Sequence, residues 1–463
     1  MLHERLIDAL GADAVKTAPE DLAVYSFDAY TAGRPPAAVV LPRTTHEVSA
    51  VVRIARDCGE PIVPRGAGTG LCGGAVPVAG GLVISFARMN RVLEFDPVRR
   101  RARVQPGLVN LDLSTHVAPS GLFYAPDPSS QKVSTIGGNI ATNAGGPHCL
   151  SYGTTINHVL GLEVVDERGE VFYTTIDDAG YDLTAALVGS EGTLGIVTSA
   201  WVRLMRAPEA VRVWLATFPD VDAASDAVSA IIAAGMVPTA LEMMDRVAAQ
   251  AVEAAFHAGY PTDCGAVLLI ETAGYDDDMD ACESELARIV RERGALSWRA
   301  ARSQAERDAL WAGRKGAAGA MGRISPNYYL QDVCVRRSTL PKALHAVEQI
   351  AHTYGLTVAN VFHAGDGNLH PMLCYDRRDA RAVQAVIESG NEILRAAIEL
   401  GGTVSGEHGI GFEKRDAMTA VYSTADLAAM ARVRDVFDPA RALNPEKIFP
   451  SGASCPEVKA PSA

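Results

Sequence analysis

Three glycine-dense stretches in the first two hundred residues constrain this chain more than any other feature. The first, RGAGTGLCGGAVPVAGG, covers residues 65–81, with its core at 65–74; the others are residues 134–146 and 189–195. Glycine lets backbone N–H groups converge on an anion with no Cβ in the way. One such loop is an ordinary set of tight turns. Three of them in one half-chain read as the wall of a long, doubly charged ligand, and a dinucleotide meets that requirement. Gly68-Thr69-Gly70-Leu71-Cys72-Gly73 matches G-x-G-x-x-G in form, but a Rossmann site needs a helix directly after it. Here GAVPVAGG follows, with Pro77 and no helical period, and no Gly-Lys-Ser/Thr makes a P-loop.

Length and charge narrow the classes. A chain of 463 residues implies two or three domains. Its apolar share of 48% and charged share of 21% are those of a globular protein. A net charge of -13 weighs against nucleic-acid binding. The start, MLHERLIDALGADAV, carries Glu4 and Asp8 and does not read as a signal peptide. No apolar stretch approaches the ~18 residues a membrane helix needs. The eight Cys are scattered with no CxxC pair, which excludes a Cys-based zinc or iron–sulfur site by spacing and fits a reducing cytosol. Redox chemistry in this chain therefore uses an organic cofactor or a His/carboxylate metal.

Several elements are predicted. Thr44 and Glu47 form a capping box for a helix over 44–59, which Gly59 and Pro61 end. Strands are expected at 61–64, 82–86, 92–96 and 101–107. A hairpin over 160–174 turns at Arg168-Gly169. Composition changes near Ala207-Pro208. Helices are then expected at 221–236, 279–294, 379–400 and 426–436, with a strand at 266–274, so the second half reads as α+β. His363 and His370 flank AGDGNL, and Gly365 and Gly367 preclude a helix there, so both His are expected on a loop leaving the 356–362 strand. Glu407 and His408 lie in SGEHGIG. Two imidazoles and a carboxylate suit Zn, Mn or Fe with positions left open, and Asp366 is a further ligand candidate or a partner that orients a His. Arg314 and Lys315 sit on an expected helix, where Arg suits bidentate carboxylate binding.

PRGAGTGLCGGAVP, PDPSSQKVSTIGGNIATNAGGPHCLSYG, GSEGTLGIVT, HAGDGNLHP and SGEHGIG occur in this order, with LEMMDR, HAGYP, WAGRK and GRISPNYY between and around them. Over residues 20–450 the sequence resembles the FAD-linked 2-hydroxy-acid dehydrogenases of the vanillyl-alcohol-oxidase (PCMH-type) flavoprotein superfamily, nearest to the FAD subunits of bacterial glycolate oxidases. The resemblance implies an α+β fold: an N-terminal helical segment (1–34), a PCMH-type FAD-binding domain (35–207), an α+β cap with the metal site (208–410), a segment returning to the FAD domain (411–450) and a mobile tail (451–463).

It also implies roles. FAD would contact Pro64, Arg65, Gly66, Ala67, Gly68, Thr69 and Gly70, then Thr135, Gly137, Gly138, Asn143 and Gly145. Further contacts fall on Glu191, Gly192, Gly195, Ile196, Val197 and Asn444, the last against the flavin ring. The first glycine loop contains no His, so the FAD is expected to be non-covalent. One divalent metal, Zn or Mn before Fe, would sit on His363, His370 and Glu407. His408 would be the catalytic base and Arg314 the substrate-carboxylate contact, with hydride passing to flavin N5. Relatives acting on 2-hydroxyglutarate carry a polar residue two positions after the second His and a Lys near 330. Here Met372 and Leu330 stand at those places, which favours glycolate or D-lactate. Expected partners are a companion FAD subunit and an iron–sulfur subunit, with location cytoplasmic or peripheral at the inner membrane through them. The alternative is a non-catalytic FAD-binding electron-transfer subunit.

Overall fold

The computed structural model describes residues 2–29 and 33–450. The expected tail at 451–463, with Cys455, lies outside the described residues. The chain divides into two compact units. Of the described residues, one holds 2–29, 33–146, 153–207 and 407–450; the other holds 147–152 and 208–406.

In the first unit the helix Thr45–Cys58 follows its local signals. Thr44 Oγ1 accepts from the Glu47 amide at 3.1 Å, the Glu47 carboxylate accepts from the Arg43 amide at 2.6 Å, and Gly59 closes the helix at φ +70°. Its face of Val48, Val51, Val52 and Ala55 is fully buried, each larger side chain contributing about 1.5–3 kcal/mol of burial. That face shares a core with Ala38, Val40, Ile62, Leu82 and Ile84. These belong to a four-stranded sheet in the order Val15–Lys16, Ala38–Val40, Leu82–Ser85, Ile62–Arg65, parallel except for its first pair. The N-terminal stretch therefore supplies a strand as well as the helices Leu2–Leu10 and Pro19–Val24. A five-stranded antiparallel sheet runs Val92–Asp96, Arg101–Val104, Ile196–Arg203, Val159–Val165, Val171–Thr175. Its last hairpin turns at Arg168-Gly169, with Gly169 at φ +79°.

No helix follows the Ile62–Arg65 strand through residue 81, in keeping with the rejected Rossmann reading. The second glycine region departs from expectation. It is not all loop, because Ile136–Thr142 is a helix. Thr135 Oγ1 accepts from the Gly138 amide at 3.3 Å and Asn143 ends the helix in the left-handed region. Glycine costs about 1 kcal/mol in a helix, yet Gly137 is required here: a Cβ would lie 2.5 Å from Pro106 Cβ.

The second unit is built on an eight-stranded antiparallel sheet. Its path is Ser297–Ala300, Ala210–Phe218, Ala266–Gly274, Ala240–Asp245, Thr357–His363, Asn368–Tyr375, Asn327–Leu330, with Val333–Cys334 also paired to Asn368–Tyr375. Alternation puts Val213, Leu215, Met244, Val267, Leu269, Ala359, Val361 and Met372 on one face, where they pack with Ala248 and Val252 of the helix Arg246–Phe256 and Leu310 of Gln304–Lys315. The helices Val221–Ala233, Met279–Glu292 and Ala380–Glu399 lie close to their sequence-predicted spans, as does Thr424–Phe437 in the first unit, while the helix Leu340–Thr353 was not predicted.

The expected loop carrying both His is corrected. His363 ends one strand and His370 lies within the next, in a tight hairpin that pairs Val361 with His370 and His363 with Asn368. The two glycines shorten the connection instead of lengthening it. Gly367 takes φ +74°, and a Cβ there would lie 2.1 Å from the Val335 carbonyl oxygen. Among the described residues no helix is long and apolar enough to cross a membrane.

Candidate functional site

In the first unit the three glycine stretches meet at Pro64–Gly66. A Cβ on Gly66 would lie 2.4 Å from Thr135 Oγ1, and one on Gly192 would lie 2.5 Å from Pro64 Cγ. Gly195 abuts Val164 in the same way, at 2.5 Å. The loops, distant in sequence, thus pack closely, glycine backbone against the Thr135 and Pro64 side chains. Ala67, Gly68, Thr69 and Gly70 continue the first loop, Gly138 and Gly145 belong to the second region, and Ile196 and Val197 begin the strand after the third.

Two side chains lock this arrangement. Glu191, at φ +52° and buried, accepts from the Ile410 amide at 2.7 Å and from the Gly411 amide at 2.8 Å. Burial pushes its carboxyl upward, and the two backbone N–H groups oppose that. Asn444 Nδ2 donates to the Gly74 carbonyl at 2.8 Å and to the Glu191 carbonyl at 2.6 Å. Lys447 is fully buried, with Nζ on the Val76 carbonyl at 2.8 Å, and burial pushes its ammonium down to about 7. Arg65 is less available than the loop sequence suggested: Nη1 donates to the Phe27 carbonyl at 2.7 Å, and the guanidinium stacks on Tyr25.

The residues present fit a dinucleotide cofactor. The cradle leaves no room for a methyl group at Gly66 or Gly192. Two polar atoms next to it, Asn139 Nδ2 and Asn444 Oδ1, are buried with no hydrogen-bond partner among the described residues, the kind of group a bound ligand satisfies. Asn139 was absent from the sequence-predicted set, although it lies inside IGGNIATN.

In the second unit the polar groups gather on the sheet face that carries the aliphatic core. Glu242 stands opposite His363 on the neighbouring strand. Its carboxylate oxygens lie 2.8 and 2.9 Å from His363 Nδ1, and Oε2 lies 2.5 Å from Arg314 Nη2. Glu242, His363 and Arg314 are all buried. The His363 and His370 rings meet edge to face at 5.2 Å between centroids. Arg314 Nε is buried and has no hydrogen-bond acceptor among the described residues. Asp332, fully buried, lies 3.5 Å from His370 Nε2 and accepts from Ser405 Oγ at 2.7 Å and from the Gly406 amide at 3.1 Å. Glu407 and His408 come next in the chain, ahead of the Ile410 amide that Glu191 holds. Asp366 turns the hairpin, its amide on the His363 carbonyl at 3.1 Å. Nearby in the sheet, Glu271 accepts from Trp311 Nε1 at 2.6 Å and bonds His148 Nε2 at 2.9 Å. Leu330 and Met372 are direct cross-strand partners, and Met372 is buried.

Glu242, Asp332 and Glu271 were missed in the sequence reading. The signal for Glu242 was there: a carboxylate in the middle of ALEMMD, a strand buried on both faces. A charge in such a strand needs a partner or a task.

The chain matches the family described as FAD linked oxidases, C-terminal domain, over residues 207–448, and the FAD binding domain family over residues 36–175. It is 44% identical over 445 residues to the glycolate oxidase subunit GlcD of Escherichia coli (strain K12), covering 95% of this chain and 89% of that one. It is 32% identical to a D-lactate dehydrogenase of Anaerostipes hadrus, covering 89% of each. Crystalline p-cresol methylhydroxylase with substrate bound shares the fold at a TM-score of 0.80, with 16% identity and 96% of each chain covered.

One substitution tests the cradle. Acid precipitation of the wild-type protein should release close to one flavin per chain into the supernatant. Gly66→Ala, which forces a methyl against Thr135, should lower that yield at least tenfold without unfolding the protein, as read by circular dichroism. Full flavin content in Gly66→Ala would remove the first loop from the binding site, and colour kept in the washed wild-type pellet would mean a covalent link. With both family matches and this cradle in hand, the chain belongs to the FAD-linked oxidases and is a flavoprotein enzyme with a PCMH-type FAD-binding domain.

Proposed function

We propose that this enzyme oxidises a small 2-hydroxy acid, of the size of glycolate or D-lactate, to the corresponding 2-oxo acid. The observation that carries this reading is Arg314, a buried guanidinium whose Nε has no acceptor among the described residues. A buried donor left unmatched is costly, and a substrate carboxylate supplies the missing acceptor. The apolar pair Leu330 and Met372 supports a short substrate, since neither side chain can bind a second carboxylate. The relatives named for glycolate and D-lactate chemistry agree with it.

The residues divide the work. Arg314 binds and orients the substrate carboxylate. His363 and His370, with Glu407, hold one divalent metal, Zn or Mn before Fe. Their chemistry fits: the rings are adjacent, and His363 is fixed by a carboxylate on its other nitrogen, as metal-binding His usually are. A metal bound there supplies Lewis acidity that makes the substrate hydroxyl easier to deprotonate. His408 accepts the hydroxyl proton as general base. Bound FAD, held non-covalently, supplies the hydride acceptor for the hydrogen on Cα. We further infer companion FAD and iron–sulfur subunits as the route outward for electrons, since the related GlcD is named as a subunit and this chain has no CxxC pair. A cytoplasmic location, or one peripheral to the inner membrane through those subunits, follows from the same reading.

Three measurements bear on this. The purified holoenzyme should reduce an artificial dye with glycolate or D-lactate, and after anaerobic reduction it should reoxidise in aerated buffer far more slowly than it turns over with dye. Absence of turnover with any small 2-hydroxy acid would leave a non-catalytic subunit. Elemental analysis should find one divalent metal per active chain, and His363→Ala should lose both metal and turnover yet keep its FAD. Stoichiometric metal in His363→Ala would move the site elsewhere. His408→Ala should keep metal and slow flavin reduction in stopped flow by roughly 10²- to 10⁴-fold, and an unchanged rate would take His408 out of the proton transfer.

A further inference from the structure

We propose that Glu242 is the positioning residue of this site: a single buried carboxylate sets the tautomer and ring orientation of His363 and the orientation of Arg314 together. The inference rests on the metal and substrate-carboxylate roles proposed above, and adds a residue that neither assigns.

A carboxylate has only acceptors to offer. With both of its oxygens within 2.9 Å of His363 Nδ1, the proton of the neutral ring must sit on Nδ1. The lone pair is then on Nε2, the state that can ligate a metal. The same carboxylate lies 2.5 Å from Arg314 Nη2, and Arg314 Nη2 is itself 3.5 Å from His363 Nδ1. The three groups therefore form one cluster, from which water is excluded: side-chain exposure is 0% for Glu242, 4% for His363 and 6% for Arg314. Pinning Nη2 on Glu242 fixes the plane of the guanidinium, and with it the direction in which Nε donates. The backbone makes the arrangement rigid. Glu242 and His363 are cross-strand partners in the middle of the sheet, and Arg314 sits in the last turn of the helix Gln304–Lys315, whose Leu310 is buried in the core on that face.

A merely structural ion pair would tie Arg314 to Glu242 and leave metal and substrate parameters alone when the protein still folds. The two roles separate in Glu242→Gln. Its amide oxygen still accepts from Nδ1–H, but its NH2 group faces the guanidinium and the negative charge is gone. The holoenzyme of Glu242→Gln should therefore keep its metal, by elemental analysis, and show KM for the hydroxy acid raised at least tenfold with kcat within about threefold of wild type. Glu242→Ala removes the acceptor as well, and metal affinity of the stripped protein, by calorimetry with Zn²⁺, should fall 10- to 100-fold. Glu242→Asp, which restores charge, should recover part of the KM loss. Unchanged KM in Glu242→Gln, a fall in kcat alone, or loss of metal from that variant would each overturn the proposal, and these readings stand even if Glu242→Ala fails to fold. Fully active wild-type enzyme with no metal would instead refute the metal reading above, and the KM comparison would still decide whether Glu242 positions Arg314.

Discussion

A carboxylate taken out of water has to be surrounded by donors, and in each unit of this protein the local architecture depends on meeting that demand. Glu191 in the first unit and Glu242 in the second are almost inaccessible to solvent. An unpaired buried charge would cost several kcal/mol, so the chain must bring N–H groups to both. Glu191 obtains them from the backbone of Ile410 and Gly411, and the C-terminal segment is thereby held against the glycine loops. Glu242 obtains them from an imidazole and a guanidinium, and the residues so gathered are those with chemistry to offer.

The two solutions serve different ends. Backbone amides are fixed donors, so the Glu191 lock is stiff and suits a cofactor that stays bound. Asn444 reinforces it by tying Gly74 to Glu191, and the bridge between Ile62 and Leu443 brings the same segment alongside the parallel sheet. Side-chain donors are adjustable in direction and keep further hydrogen-bonding capacity. Arg314 and His363 each spend one nitrogen on Glu242. A sheet strand is a precise mount for this purpose, because alternation fixes which face each side chain takes.

Much of the first unit was legible. The capping pair Thr44 and Glu47, the Gly59 stop and the Arg168-Gly169 turn are encoded within four or five residues of one another, and local geometry honoured them. The glycine loops were legible as a group because only their density needed to be seen. What failed were inferences about the scale of a connection. Gly365 and Gly367 were read as placing both His on a loop, whereas Gly367 allows the close approach to Val335 that tightens a hairpin carrying them. Gly137 was read as a loop residue, whereas packing on Pro106 selects glycine there inside a helix. In both cases glycine is present because another part of the backbone comes too close for a side chain, and that neighbour is remote in sequence.

The sequence by itself determined most element types and the glycine cradle as a class of site, since these follow from periodicity and spacing, while side-chain chemistry and the family resemblance supplied the residues proposed for metal, proton and substrate. Only the tertiary structure decided how they are held. Glu242 and His363 are separated by 121 positions, and Arg314 and His363 by 49. No local pattern links them, because cross-strand register and the docking of one helix set those contacts. Glu242 stood in plain view in ALEMMD as a charge without a stated partner. Its partner was settled by burial, which makes an unmatched carboxylate too costly to keep and so selects the packing that surrounds it with donors.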